Sequence, residues 1–114
     1  MIIYITIFLL SFLSAELINP ENNSSISYTH VLFEWDQIPN AVDYELQVND
    51  GNQVVFTAIQ PSLIYIDTDH LNWNTQYYWK VRAIFNSGET GPWSSEQIFT
   101  ILDKNPSISK INAK

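Results

Sequence analysis

Apolar and polar residues alternate along most of this 114-residue chain. In THVLFEWD, Val31, Phe33 and Trp35 alternate with His30, Leu32, Glu34 and Asp36. In DYELQVND, Tyr44, Leu46 and Val48 alternate with Asp43, Glu45, Gln47 and Asn49. In QYYWKVRAIF, Tyr77, Trp79, Val81, Ala83 and Phe85 alternate with Tyr78, Lys80, Arg82 and Ile84. A period of two puts each set on one face of a strand. No stretch after residue 16 sustains the i, i+3, i+4, i+7 spacing of an amphipathic helix. The apolar faces must share a core, and the polar faces meet water, as in antiparallel sheets.

Turn residues separate the runs. Pro39-Asn40 ends the first, Asp50-Gly51 suits a hairpin, and Gln60-Pro61-Ser62 closes a short edge strand, VVFTAI. Ser87-Gly88 and Gly91-Pro92 precede a last strand whose Phe99 and Ile101 point inward. With a weak first strand at 17–20, the pattern predicts an all-β, seven-stranded antiparallel β-sandwich. The LIYI run is apolar on both faces, and Ile64 and Ile66 are assigned to the inside.

The first fifteen residues differ. Twelve of them are apolar, and the run stops at Glu16. As a helix they would reach about 22 Å, short of the roughly 30 Å hydrocarbon core. Ser14 and Ala15 suit a signal-peptidase site, so residues 1–15 are expected to be a secretory signal cleaved after Ala15. That leaves residues 16–102 as the sandwich and residues 103–114, polar and broken by Pro106, as a linker or tail. The expected location is extracellular, on the cell surface or in the periplasm, with no stable membrane span once the signal is gone.

Charge and composition narrow the function. The net charge is −7, and there is no cysteine. Residues 16–102 hold 11 acidic and 2 basic side chains, so −9. That excess speaks against nucleic acid as a partner. Without cysteine there is no disulfide framework, thiolate metal site or cysteine nucleophile. His30 and His70 are 40 residues apart with no clear third ligand. Asp67-Thr68-Asp69-His70 offers too few oxygens for calcium and reads as a solvated turn whose carboxylates hold local backbone. Glu34 and Asp36 lie about 6.5–7 Å apart along one strand face, near glycosidase spacing. Any i, i+2 acidic pair on a strand does the same, and an exposed solubilising face is the reading adopted. No nucleophile elbow is present. Neither catalysis nor a cofactor is expected. Asn22-Asn23-Ser24-Ser25 contains two overlapping glycosylation sequons, relevant only in a eukaryotic secretory host.

Leu71 precedes Tyr77 by six residues, the spacing of a tyrosine corner. With FEWD, DYELQV and YYWKVRAIFNSGETGPWS, the chain resembles the fibronectin type III domain of secreted bacterial proteins over residues 17–102. The resemblance implies core roles for Trp35, Tyr44, Leu71, Tyr77, Trp79, Val81 and Ala83, and the alternation adds Leu46. It implies turn roles for Gly88, Gly91 and Ser94. Val31, Phe33, Val48 and Phe99 complete the expected core. Where adhesive members carry Arg-Gly-Asp, this chain reads Asn86-Ser87-Gly88-Glu89-Thr90-Gly91, so integrin-type adhesion is not implied. The function expected from the resemblance is a secreted structural spacer or protein-interaction module, and the linker-like tail makes it an expected leading part of a longer protein. The alternative is a carbohydrate-binding accessory module, which would stack sugar rings on exposed aromatics. The candidate ligand surface is Trp73, Tyr78, Arg82 and Trp93, and the partner is an extracellular protein or glycan; Trp73, in the loop LNWNT, has a second reading as a cover for the bottom of the core. A bland role for Trp93, lying over Arg82 as a cation–π contact, is the preferred one.

Overall fold

The computed structural model describes residues 13–104. Among these residues eight strands run in chain order: β1 (Leu17–Asn19), β2 (Ser24–Ile26), β3 (Val31–Trp35), β4 (Ala41–Asn49), β5 (Val54–Gln60), β6 (Ile64–Asp67), β7 (Thr75–Phe85) and β8 (Gln97–Ile101). They form a three-stranded sheet, β1-β3-β6, and a five-stranded sheet, β2-β8-β7-β4-β5. Of the expected leader at residues 1–15, residues 1–12 lie outside the described residues, as does the expected tail at 103–114 from residue 105 onward. Ala15, where the signal is expected to end, is buried with the core.

The long strands β4 and β7 pair antiparallel, with Leu46 opposite Val81 and Val48 opposite Trp79. Their inward side chains and those of β3 and β8 fill the space between the sheets. Trp35, Tyr44, Leu46, Leu71, Tyr77, Trp79 and Val81 are all buried, as are Val31, Phe33, Val48, Ala83, Phe99 and Ile101. Phe33 is the hub. Its ring meets Trp79 at 5.2 Å, Phe99 at 5.8 Å and Phe56 at 6.1 Å, each edge to face, the arrangement ring quadrupoles favour.

Two buried tyrosines end in hydrogen bonds to loop backbone. The Tyr77 hydroxyl accepts the N–H of Asn72 at 2.8 Å, and the Tyr44 hydroxyl accepts the N–H of Ile38 at 2.8 Å. Each loop donor gains a partner without water. Tyr77→Phe keeps the ring and leaves the Asn72 N–H unpaired, so urea unfolding is expected to show a loss of about 1 kcal/mol. An unchanged midpoint would deny this bond any part in stability.

Three features differ from the sequence reading. The expected first strand at 17–20 ends at Asn19, before Pro20, which follows a cis peptide bond, and this strand, β1, joins β3. A further strand that the sequence reading did not include, β2, lies in the other sheet and pairs with β8, parallel, alone among the pairs of the described residues. The Asn22 side chain and the Asn23 N–H, the latter in a left-handed residue, both bond Ile98 backbone and carry the crossing. Next, Ile64 and Ile66 face outward, 43% and 57% exposed. The inward residues of β6 are Tyr65, which meets Phe56 at 5.7 Å, and Asp67. Finally, Asp67 is no solvated turn residue. It is 1% exposed and accepts the His70 backbone N–H at 2.9 Å, with its other oxygen 2.6 Å from His70 Nδ1. That closed turn sets the parity of the strand before it. Burial, then the nearby charges of Asp67 and Asp69, push the Tyr65 hydroxyl above the ordinary tyrosine value.

The β4–β5 hairpin turns at residues 50–53. The Asp50 carboxylate accepts the N–H groups of Asn52 and Gln53, and these bonds hold its pKa below the usual range. Gly51 takes a φ of +94°, a conformation that a side chain would strain.

Candidate functional site

The outward face of the five-stranded sheet carries the candidate surface. On β7, Tyr78, Lys80 and Arg82 share that face, opposite Asn49, Gln47 and Glu45 of β4. Arg82 Nε donates to Glu45 Oε1 at 2.7 Å.

Trp93 reaches this face because the chain before β8 is pinned to β7. Gly91 N–H bonds the Ala83 carbonyl and Ser94 N–H bonds the Val81 carbonyl. The buried Ser94 hydroxyl also accepts the Val81 N–H at 3.1 Å. Ser94 therefore points inward, and its neighbour Trp93 points out. The Arg82 guanidinium lies 4.3 Å from the Trp93 ring centroid and the Lys80 ammonium 4.7 Å. Both basic residues of the 16–102 segment thus meet at one indole. Such contacts contribute about 0.5–1 kcal/mol at exposed sites. The covered ring is not free to stack on a sugar from that side.

Tyr78 sits two positions further toward the β4–β5 turn. Its hydroxyl donates to Gln76 Oε1 at 3.1 Å, and a Cβ on Gly51 would lie 3.4 Å from its ring. Trp73 does not join this surface. It is half-buried and packs against the core from the β6–β7 loop. Of the four residues singled out, the fold gathers Tyr78, Arg82 and Trp93 and sends Trp73 elsewhere. Hence the three aromatics form no common platform.

The acidic candidates separate as well. Glu34 accepts the Asn19 side-chain amide at 2.9 Å, while Asp36 lies past the end of β3, its N–H bonded to Glu16. Among the described residues, no group of three or more His, Asp and Glu side chains is placed to hold a metal ion. Nor is any helix among them long and apolar enough to cross a membrane.

One concavity was not visible in the sequence. A cleft of about 360 Å³ lies between the β1–β2 crossing and β3, lined by Asn19, Glu21, Ser24, Tyr28, His30 and Leu32. Residues 27–30 have no periodicity, and the crossing that forms one wall depends on the unexpected strand β2.

No family model matches the chain, and no curated protein matches it. Its fold does match solved structures. An Fn3-like protein from Clostridium thermocellum superposes with a TM-score of 0.56 at 24% identity, covering 70% of this chain and 86% of its own. The structure of FN3tt gives 0.53 at 22% identity, covering 79% and 96%. At these identities the likeness carries the fold alone: the chain is an Fn3-like, immunoglobulin-type β-sandwich.

Proposed function

We propose that this chain works outside the cell as a non-catalytic Fn3-like module, a stiff spacer whose sheet surfaces meet protein partners. The observation that carries the spacer reading is where the chain enters and leaves. Glu16 bonds Asp36, just past the end of β3. Leu102 bonds Ile26 and Asn74, at the other end of the sandwich, where β3 and β7 begin. A pull on the two ends would thus act along the long axis, as a link between neighbours requires. Extracellular work rests on the reading of residues 1–15 as a secretion signal. The covered indole of Trp93 and the inward packing of Trp73 favour protein over glycan as the partner.

The spacer geometry has a direct test. The chain has no cysteine, so Glu16→Cys and Lys104→Cys place two spin labels without competing thiols. Residues 17–26 run the length of the sandwich, so pulsed electron paramagnetic resonance should return one narrow distance on the order of 30 Å. A broad distribution, or one centred below about 20 Å, would rule out a stiff rod.

A further inference from the structure

The two sheets have four edges among the described residues, and three of them are protected. β1 and β2 are three residues long, and β1 pairs through a register shift. β6 has four residues and turns the charged Asp67 inward. Short strands, irregular pairing and inward charges are the usual devices that stop a sheet edge from recruiting another strand. The fourth edge, β5, has none of them over most of its length. It is seven residues, Val-Val-Phe-Thr-Ala-Ile-Gln, without a charge or a proline. Its one irregularity is at the hairpin end, where Val54 pairs with Asn49; from Phe56 to Gln60 it pairs with β4 in regular register. Its outer side carries a row of backbone N–H and C=O groups with no strand beside them. Ile59 is 60% exposed and Val54 is 50% exposed.

We propose that β5 is a pairing edge for a second copy of this chain, joining the two five-stranded sheets antiparallel across a two-fold axis. This goes beyond the spacer reading and does not depend on it. Antiparallel pairing of one strand with itself makes the same patch serve both copies. An axis near Thr57 sets Val55 against Ile59 and Phe56 against Ala58, and brings the two Thr57 residues together. Val55–Ile59 is a β-branched pair and Thr57–Thr57 a hydroxyl pair of the kind that stabilise sheets. The charge pattern allows it. Neither strand brings a carboxylate, and Asp50 of one copy falls beyond Gln60 of the other. Glu45, behind Ile59 in the sheet, is already paired with Arg82. What opposes pairing is the long-range repulsion of two chains of net charge −7, which salt screens over about 10 Å at 0.1 M. The contact falls short of the roughly 1,200 Å² of a standard interface, so the dimer is weak and reversible.

Sedimentation equilibrium of the full chain from about 10 µM to about 1 mM, the range suited to a small interface, tests this. The expected result is a monomer–dimer equilibrium that tightens as salt is raised. Thr57→Lys places two lysines face to face at the axis, and Ile59→Lys puts a charge on each outer strand. Each should weaken dimerisation by about tenfold or more. Ile66→Lys, on the outer face of the other sheet, should leave it unchanged. A chain that stays monomeric throughout overturns the proposal. So does a dimer that Ile66→Lys breaks, or one that both β5 lysines leave intact. Should a lysine variant unfold, the wild-type amide spectrum decides: concentration-dependent broadening centred on residues 54–60 supports the edge, and broadening centred elsewhere overturns it.

Discussion

Replacing Phe33 with alanine is expected to destabilise the sandwich by about 3–5 kcal/mol. The ring is fully buried and is the one aromatic that touches Phe56, Trp79 and Phe99 together. Phe33 stands on β3 of one sheet, and those three rings stand on strands of the other. Its removal therefore empties the layer that joins the sheets. Rings held edge to face by neighbouring strands cannot close such a gap without leaving their rotamers. A domain of this size has about 5–15 kcal/mol in all, and with no cysteine no disulfide makes up the loss. Urea unfolding at neutral pH should show a large drop in midpoint with an unchanged slope. A loss below about 2 kcal/mol would mean that the neighbouring rings collapse into the space.

Asp67→Ala is expected to cost about 1.5–3 kcal/mol, the range for hydrogen bonds to a charged group. The carboxylate is almost wholly buried yet holds two donors of one residue, the His70 backbone N–H and ring nitrogen. The His70 ring then stacks on Phe56 at 4.8 Å with 25° between planes. Asp67 belongs to β6 and Phe56 to β5, so this chain of contacts ties the edges of the two sheets together. Removing the carboxylate frees the turn and loosens the stack. A double-mutant cycle with His70→Ala should give a coupling above about 0.5 kcal/mol. Additive losses would mean that the two side chains act independently.

Much of the fold was legible because strands with one wet face write their parity into the sequence. Val31, Phe33 and Trp35 on β3 and the odd positions of β7 alternate with polar partners, and one register satisfies all of them. The candidate surface was legible to the same extent. Tyr78 and Arg82 follow from the parity of β7. Trp93 has no strand around it to give a parity, and only the Ser94 hydroxyl bonded to Val81 turns the indole outward. Trp73 lies in a loop with no alternating neighbours to read, so the sequence left it between a cover for the core and the ligand surface, and the structure packs it against the core.

Sequence alone determined the class of the fold, the main core and the excess of acid on the surface. Each of these depends on local alternation and composition, which need no knowledge of distant contacts. Only the tertiary structure decided the rest. Ile64-Tyr65-Ile66 is apolar on both faces, so its parity waited on where Asp67 could find donors. The polar Ser24–Ile26 became a strand only because β8 offered it an edge. That β5 is an open edge follows from strand order, since the same seven residues in the middle of a sheet would have both sides of their backbone paired. Backbone hydrogen bonds between strands far apart in the chain carry no local signature, and these decided both the outer strands and the surfaces they leave free.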